Sequence, residues 1–170
     1  MRFLKWIIGL LAVVVGVLGA TFLAAVIFVP AERSFVNEVE INAPPERIWN
    51  VILDKDRYME WQTSLSKVEV VDDKNWIEFP KDAPDPIKFT LAKDARPETM
   101  EFHYMMGDFF EGHWKGDMTP ASNGVRLRTT DSYKVNGAVS KILIGMFFDI
   151  DTFAKDWNSR LKTRVESLND

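Results

Sequence analysis

An aspartate and two tyrosines are the groups in this chain best suited to moving a proton. Asp131 and Tyr133 stand two apart in RLRTTDSYKV, so they share one face if that segment is a strand. Tyr104 sits in EFHYMM, a second segment that reads as a strand. A carboxylate held away from water beside a phenol could act as acid or base, or could anchor the polar atom of a ligand. The plainer alternative puts Asp131 near the end of a sheet, reaching water or a backbone donor, because an unpaired buried carboxylate is costly. His103 and His113, with Glu101 and Glu111 nearby, could bind a metal, but a solvated outer face is their expected place. Neither histidine joins a serine–histidine–acid set. Cysteine is absent, which excludes disulfides, thiol catalysis and cysteine zinc sites. No metal and no cofactor is expected.

These residues need strands to position them. Pairing Met106 with Phe110 across a turn sets Tyr104 against Gly112, Phe102 against Trp114 and Met100 against Gly116. The large apolar residues then share one face, and Glu101 meets Lys115 on the other; a slip by one residue would mix the faces. In the next hairpin, Met118 opposite Val125 sets Trp114 against Thr129, Gly112 against Asp131 and Phe110 against Tyr133, with Asp117 and Arg126 paired outside. Gly112 and Gly116 lie on the apolar face. Either they leave room for a cavity, or they mark a bulge or bend of the sheet.

The remaining elements follow from periodicity. Ser34 to Ile41 reads as a strand, and Asn42-Ala43-Pro44-Pro45 breaks it. Proline suits the first turn of a helix, predicted over Glu46 to Leu53 with Ile48, Trp49, Ile52 and Leu53 on one face. A second short helix is expected over Arg57 to Trp61. Strands follow near 65–71, 76–79, 87–92, 99–106, 109–118 and 124–135. From Val139 onward, apolar residues at spacings of three and four predict one long amphipathic helix, which Gly145 could loosen. Segregated strands and helices mean α+β.

The strand ending in I-N-A-P-P-E (Ile41–Glu46), the helix opening R-I-W (Arg47–Trp49), the D-x-x-x-Y-x-x-W run (Asp54, Tyr58, Trp61), the meander and the final helix together resemble the START-like superfamily. Within it the chain is similar to the SRPBCC proteins of polyketide cyclase/dehydrase type, including those with one N-terminal anchor. The resemblance covers Phe35 to Leu168. It implies a helix-grip fold, a curved antiparallel sheet around a long C-terminal helix with a deep apolar cavity between them. Family members bind lipids, sterols, polyketides or other hydrophobic molecules, and some do chemistry on them, without shared catalytic residues. It implies that Tyr58 and Trp61 border the cavity mouth and that the middle of the last helix, near Phe147, forms its floor. Trp49 reads as core, as do Phe147, Phe148 and Trp157 when taken by themselves. Glu46, Asp54, Asp56 and Glu60 read as solvated surface and caps. The loop KDAPDPIK (81–88) connects strands and could gate the mouth. The expected ligand-contacting set is Tyr58, Trp61, Phe102, Tyr104, Gly112, Trp114, Gly116, Thr129, Asp131, Tyr133 and Phe147.

The 170-residue chain carries 25 acidic and 21 basic residues. Trp6 to Val29 has no charge, and as a helix it would reach about 36 Å, enough to span a hydrocarbon core of ~30 Å with some tilt. A cleaved signal has a shorter apolar core and a small-residue exit, whereas this run ends FVPAERSF. The expected division is therefore an anchor over 1–31 and one START-like domain over 32–170. Arg2 and Lys5 precede the span, which favours an N terminus inside and the domain on the extracytoplasmic side. Setting those two aside leaves 19 basic residues against 25 acidic ones, a formal charge of −6 on the domain, so nucleic acid is not an expected partner. Three functions remain open: a membrane-anchored binding domain for a lipid or polyketide-like molecule, a cyclase or dehydratase using Asp131 with Tyr133 or Tyr104, and a partner-binding domain whose cavity is filled by its own side chains.

Overall fold

The computed structural model describes residues 2–28, 30–83, 85–147 and 149–168. A charge-poor helix, α1 (Arg2–Phe28), leads into β1 (Glu32–Ile41). Its stretch Trp6–Ala24 has a mean hydropathy of 2.6 and is long and apolar enough to cross a membrane. Val29, at the end of the uncharged run, lies outside the described residues. After β1 come α2 (Pro45–Leu53) and a 3₁₀ turn (Lys55–Glu60). Six strands follow: β2 (Leu65–Val70), β3 (Asn75–Pro80), β4 (Ile87–Ala95), β5 (Thr99–Met106), β6 (Phe110–Ala121) and β7 (Gly124–Val135). The chain ends in α3 (Ala138–Phe147) and α4 (Ile150–Ser167).

The seven strands form one antiparallel sheet in the order β1-β7-β6-β5-β4-β3-β2. It is a meander whose last strand returns to the first, the α+β helix-grip arrangement. Pro45 opens α2, where its missing N–H is no loss. That helix buries Ile48, Trp49 and Ile52, and the Trp49 indole N–H donates to the Pro97 carbonyl at 2.8 Å. On α4, Ala154, Asn158, Leu161 and Val165 are buried at a spacing of three to four, the stripe that faces the sheet beside β1 and α2.

Two expectations need correcting. The β5–β6 register is as expected, with Tyr104 opposite Gly112 and Phe102 opposite Trp114. The β6–β7 register is displaced by two residues: Met118 faces Leu127, Trp114 faces Asp131, Gly112 faces Tyr133 and Gly116 faces Thr129. The hairpin closes at Ala121 and Gly124, because Gly124 takes φ 110° and permits a far tighter turn than a loop from Met118 to Val125. A shift of two preserves which face each side chain takes, but it changes every neighbour. Asp117 thus faces Arg128, while the Arg126 guanidinium reaches Glu40 at 2.6 Å. The predicted single C-terminal helix is two. Asp149 breaks it and caps α4, its carboxylate accepting from the Thr152 N–H at 3.1 Å.

Candidate functional site

Gly112 organises the inner face of the sheet. A Cβ built on it would lie 2.2 Å from the Tyr104 ring, so that ring occupies the place a side chain would take. Lying across β6, the ring brings its hydroxyl diagonally to β7, where it donates to the Asp131 carboxylate at 3.3 Å. Asp131 is 8% exposed. Burial raises its pKa from the usual carboxylate range to about 7, and the Tyr104 hydrogen bond opposes part of that rise. Burial and the nearby carboxylate push the Tyr104 phenol upward. The pair is therefore an acid that titrates near neutrality beside a phenol that keeps its proton. Tyr133 lies one inward position further along β7, its ring 5.4 Å from Phe110 and 6.1 Å from Phe35.

Asp131 continues a polar seam beneath α4. Thr129, the preceding inward residue and 1% exposed, donates to the Asn37 carbonyl at 3.4 Å and accepts from the Asn158 amide at 3.0 Å. Asn37 in turn reaches Asp151 at 3.4 Å. The Asn158 Oδ1 is buried without a hydrogen-bond partner among the described residues. Neither Asn37 nor Asn158 carried a sequence signal. An asparagine on the apolar stripe of an amphipathic helix was the only clue.

The aromatic members of the expected set whose side chains are described do meet. Ring contacts with centroids 5.0 to 6.1 Å apart run from Tyr58 through Trp61, Trp157, Trp114, Phe102, Trp76, Phe89, Tyr104 and Phe110 to Tyr133 and Phe35. Gly116 serves this packing as Gly112 does: a Cβ there would sit 2.4 Å from the Trp114 ring and 3.0 Å from that of Trp49. Both glycines thus make space that neighbouring rings fill. Phe147 ends α3, and its side chain lies outside the described residues, as do Phe148 and Pro84 of the 81–88 loop.

A second buried charge went unnoticed in the sequence. The Lys55 ammonium donates to the Ile52 carbonyl at 2.5 Å and the Tyr58 hydroxyl at 2.6 Å, and it lies 3.7 Å from the centre of the Trp76 ring. Burial lowers its pKa to about 7, against the pull of Glu78. Burial raises the Glu78 carboxyl, while the Trp76 indole donates to it at 2.9 Å. In the sequence Lys55 stands among acidic residues and reads as one more surface charge.

On the outer face the His103 and His113 rings lie with centroids 4.9 Å apart and planes tilted by 44°, and His113 contacts Glu101 at 3.1 Å. Among the described residues no group of three or more metal-binding side chains converges. A groove of about 1150 Å³ is lined by residues from both faces of the sheet. Along β5 and β6 its walls alternate outward residues (His103, Met105, Glu111, His113) with the inward Tyr104 and Gly112, and among the described residues none of α3 or α4 lines it.

Solved structures share this architecture at low identity, which bears on the fold alone. Ara h 8.0201 superposes with a TM-score of 0.62 at 10% identity, over 80% of this chain and 99% of its own. A START superfamily protein from Mycobacterium smegmatis gives 0.58 at 16%, over 81% and 98%. Norcoclaurine synthase from Thalictrum flavum gives 0.61 at 12%, over 79% and 86%. No curated protein matches the sequence. The family described as polyketide cyclase / dehydrase and lipid transport matches residues 32–168, from the first residue of β1 to the last described residue. With the sheet, the gripping helix and the aromatic interior all contained in that span, the chain belongs to the polyketide cyclase / dehydrase and lipid transport family.

Proposed function

We propose that this protein is a membrane-anchored domain that binds a hydrophobic small molecule, a lipid or polyketide-like compound, between the sheet and the C-terminal helices. The division assigns 1–31 to the anchor and 32–170 to the binding domain. Arg2 and Lys5 before the span favour an inside N terminus and an extracytoplasmic domain. The observation that carries the reading is the buried Asp131–Tyr104 pair. A self-filled apolar core has no use for a carboxylate, or for the Asn158 oxygen, which lies beyond Thr129 along the seam and has no partner among the described residues, since each is costly to bury unmet. A ligand with an apolar body and one polar end would meet these groups by displacing rings of the aromatic chain. Tyr58, Trp61, Phe102, Trp114, Thr129 and Tyr133 would contact its body, with Gly112 and Gly116 fixing where the rings lie.

Asp131 also supports a second reading, an enzyme of cyclase or dehydratase type, because its carboxyl titrates at about 7 beside a phenol. Native mass spectrometry of the full chain, incubated with a total lipid extract and released from detergent, tests the first reading. The expected result is a discrete added mass, lost in Gly112→Trp. A well-folded chain that retains nothing would sink it. Asp131→Asn separates the two: simple binding stays nearly intact, whereas turnover of the retained compound is abolished.

A further inference from the structure

The helix α3 is apolar on the side that the protein leaves open. Over its ten residues, AVSKILIGMF, the only charge is Lys141. Ile144 is buried against Met106, Phe110, Tyr133 and Val135. Val139 and Leu143, one turn apart, are 59% and 50% exposed. A short helix with this pattern is unstable in water on its outer side and needs a cover.

Where α3 sits says what covers it. The span α1 ends at Phe28 and β1 begins at Glu32. The chain between them bridges at most about 14 Å, at ~3.3–3.6 Å per residue. The Val135 N–H donates to the Ala31 carbonyl at 2.8 Å, so the end of β7 is bound to the residue that leaves α1. Gly137, with φ 88°, turns the chain there, and α3 starts at the next residue. Its flank lies beside α1 itself. If α1 crosses a bilayer, α3 emerges at the bilayer's surface, with its exposed apolar side continuous with that of α1.

We infer that α3 is an interfacial helix: Val139 and Leu143 insert into the headgroup–acyl boundary of the membrane that holds α1, and α3 seats the Tyr133 end of the domain's interior against lipid. The inference rests on the anchor reading of α1. A helix of this kind buries its apolar side ~5–10 Å into the boundary. The consequence for ligand entry is directional. A molecule leaving the bilayer passes α3, meets Tyr133 and Phe110 first, and finds Tyr104 and Asp131 behind them.

The chain has no cysteine, so single probes are clean. Leu143→Cys, Leu18→Cys and Ser122→Cys are each labelled with an environment-sensitive fluorophore in the full chain, reconstituted in phosphatidylcholine vesicles. Leu18 lies within α1, and Ser122 caps the hairpin at the far end of the sheet from Glu32. The expected result is blue-shifted emission at 143, quenched more by a doxyl group high on the acyl chain than by one deep in it. Position 18 is quenched most by the deep group, and position 122 by neither. Deep quenching at 18 with none at 143 overturns the interfacial helix and leaves the anchor standing. Absence of quenching at both overturns the anchor reading and the inference with it. A blue shift at 143 without lipid quenching overturns the inference in favour of a protein cover.

Discussion

Gly112 has no side chain, and Tyr104 uses the space. Any Cβ at this position meets the phenol ring at 2.2 Å, so Gly112→Ala must move the ring and with it the only described hydrogen bond to the Asp131 carboxylate. Overpacking of this kind costs about 1–3 kcal/mol. The loss is expected in chemical denaturation followed by tryptophan fluorescence, and a change within error would mean the ring is not held there. Tyr104→Phe asks a narrower question. It keeps the ring and deletes the hydroxyl that holds the Asp131 pKa down. The carboxyl should therefore titrate above its starting value of about 7 when followed by carbon NMR. A downward move would show that the hydroxyl hinders the charged form, against the geometry.

At the scale of elements, Asp149 separates what periodicity joined. Its carboxylate accepts from both the backbone N–H and the hydroxyl of Thr152, closing the N-terminus of α4. Asp149→Ala should cost on the order of 1 kcal/mol, as cap deletions do. Thermal melts can resolve this, and an unchanged melting point would leave the break between α3 and α4 unexplained. The case illustrates what the sequence does and does not reveal. Apolar spacing of three and four continues through residues 146–154, so nothing in periodicity announces a stop, and a capping aspartate looks like any surface charge. The β6–β7 register slipped for a related reason. Faces alternate with a period of two, so patterning separated inward from outward residues but could not distinguish Asp131 facing Gly112 from Asp131 facing Trp114. The turn decides that, through the left-handed Gly124. Asp131, Tyr104 and Gly112 were legible as residues of one face. That Gly112 lets Tyr104 reach Asp131 was not, because it depends on a diagonal contact across three strands. Lys55 is invisible because burial of a polar side chain is a tertiary fact without a local pattern, and Asn158 shows only as an asparagine on an apolar helix stripe.

At the scale of the whole molecule, two buried charges of opposite sign set how stability follows pH. The Asp131 carboxyl is raised to about 7 in the fold, so between its ordinary range near 4 and pH 7 the folded state holds a proton that the unfolded chain releases. Stability falls across that window as pH rises. The Lys55 amine is lowered to about 7, so between pH 7 and its ordinary range near 10.5 the unfolded chain holds a proton that the folded state has released. There stability climbs with pH. The cost of both buried charges is therefore largest together near pH 7, and these two groups alone give a minimum at neutrality. Each limb spans roughly three pH units at about 1.4 kcal/mol per unit, a few kcal/mol in all. Other groups tilt the curve, so the variants carry the test. Asp131→Asn should shrink the acid limb to the share that the raised Glu78 carboxyl contributes, and leave the alkaline one. Lys55→Met should flatten the alkaline limb and raise the Glu78 carboxyl further, because that buried carboxyl loses its nearby cation while the Tyr58 hydroxyl still donates to the Ile52 carbonyl. Denaturation midpoints of the full chain measured from pH 4 to pH 10 decide it. An alkaline limb that survives Lys55→Met would place the amine's charge in contact with water and remove it from the interior that Asp131 shares.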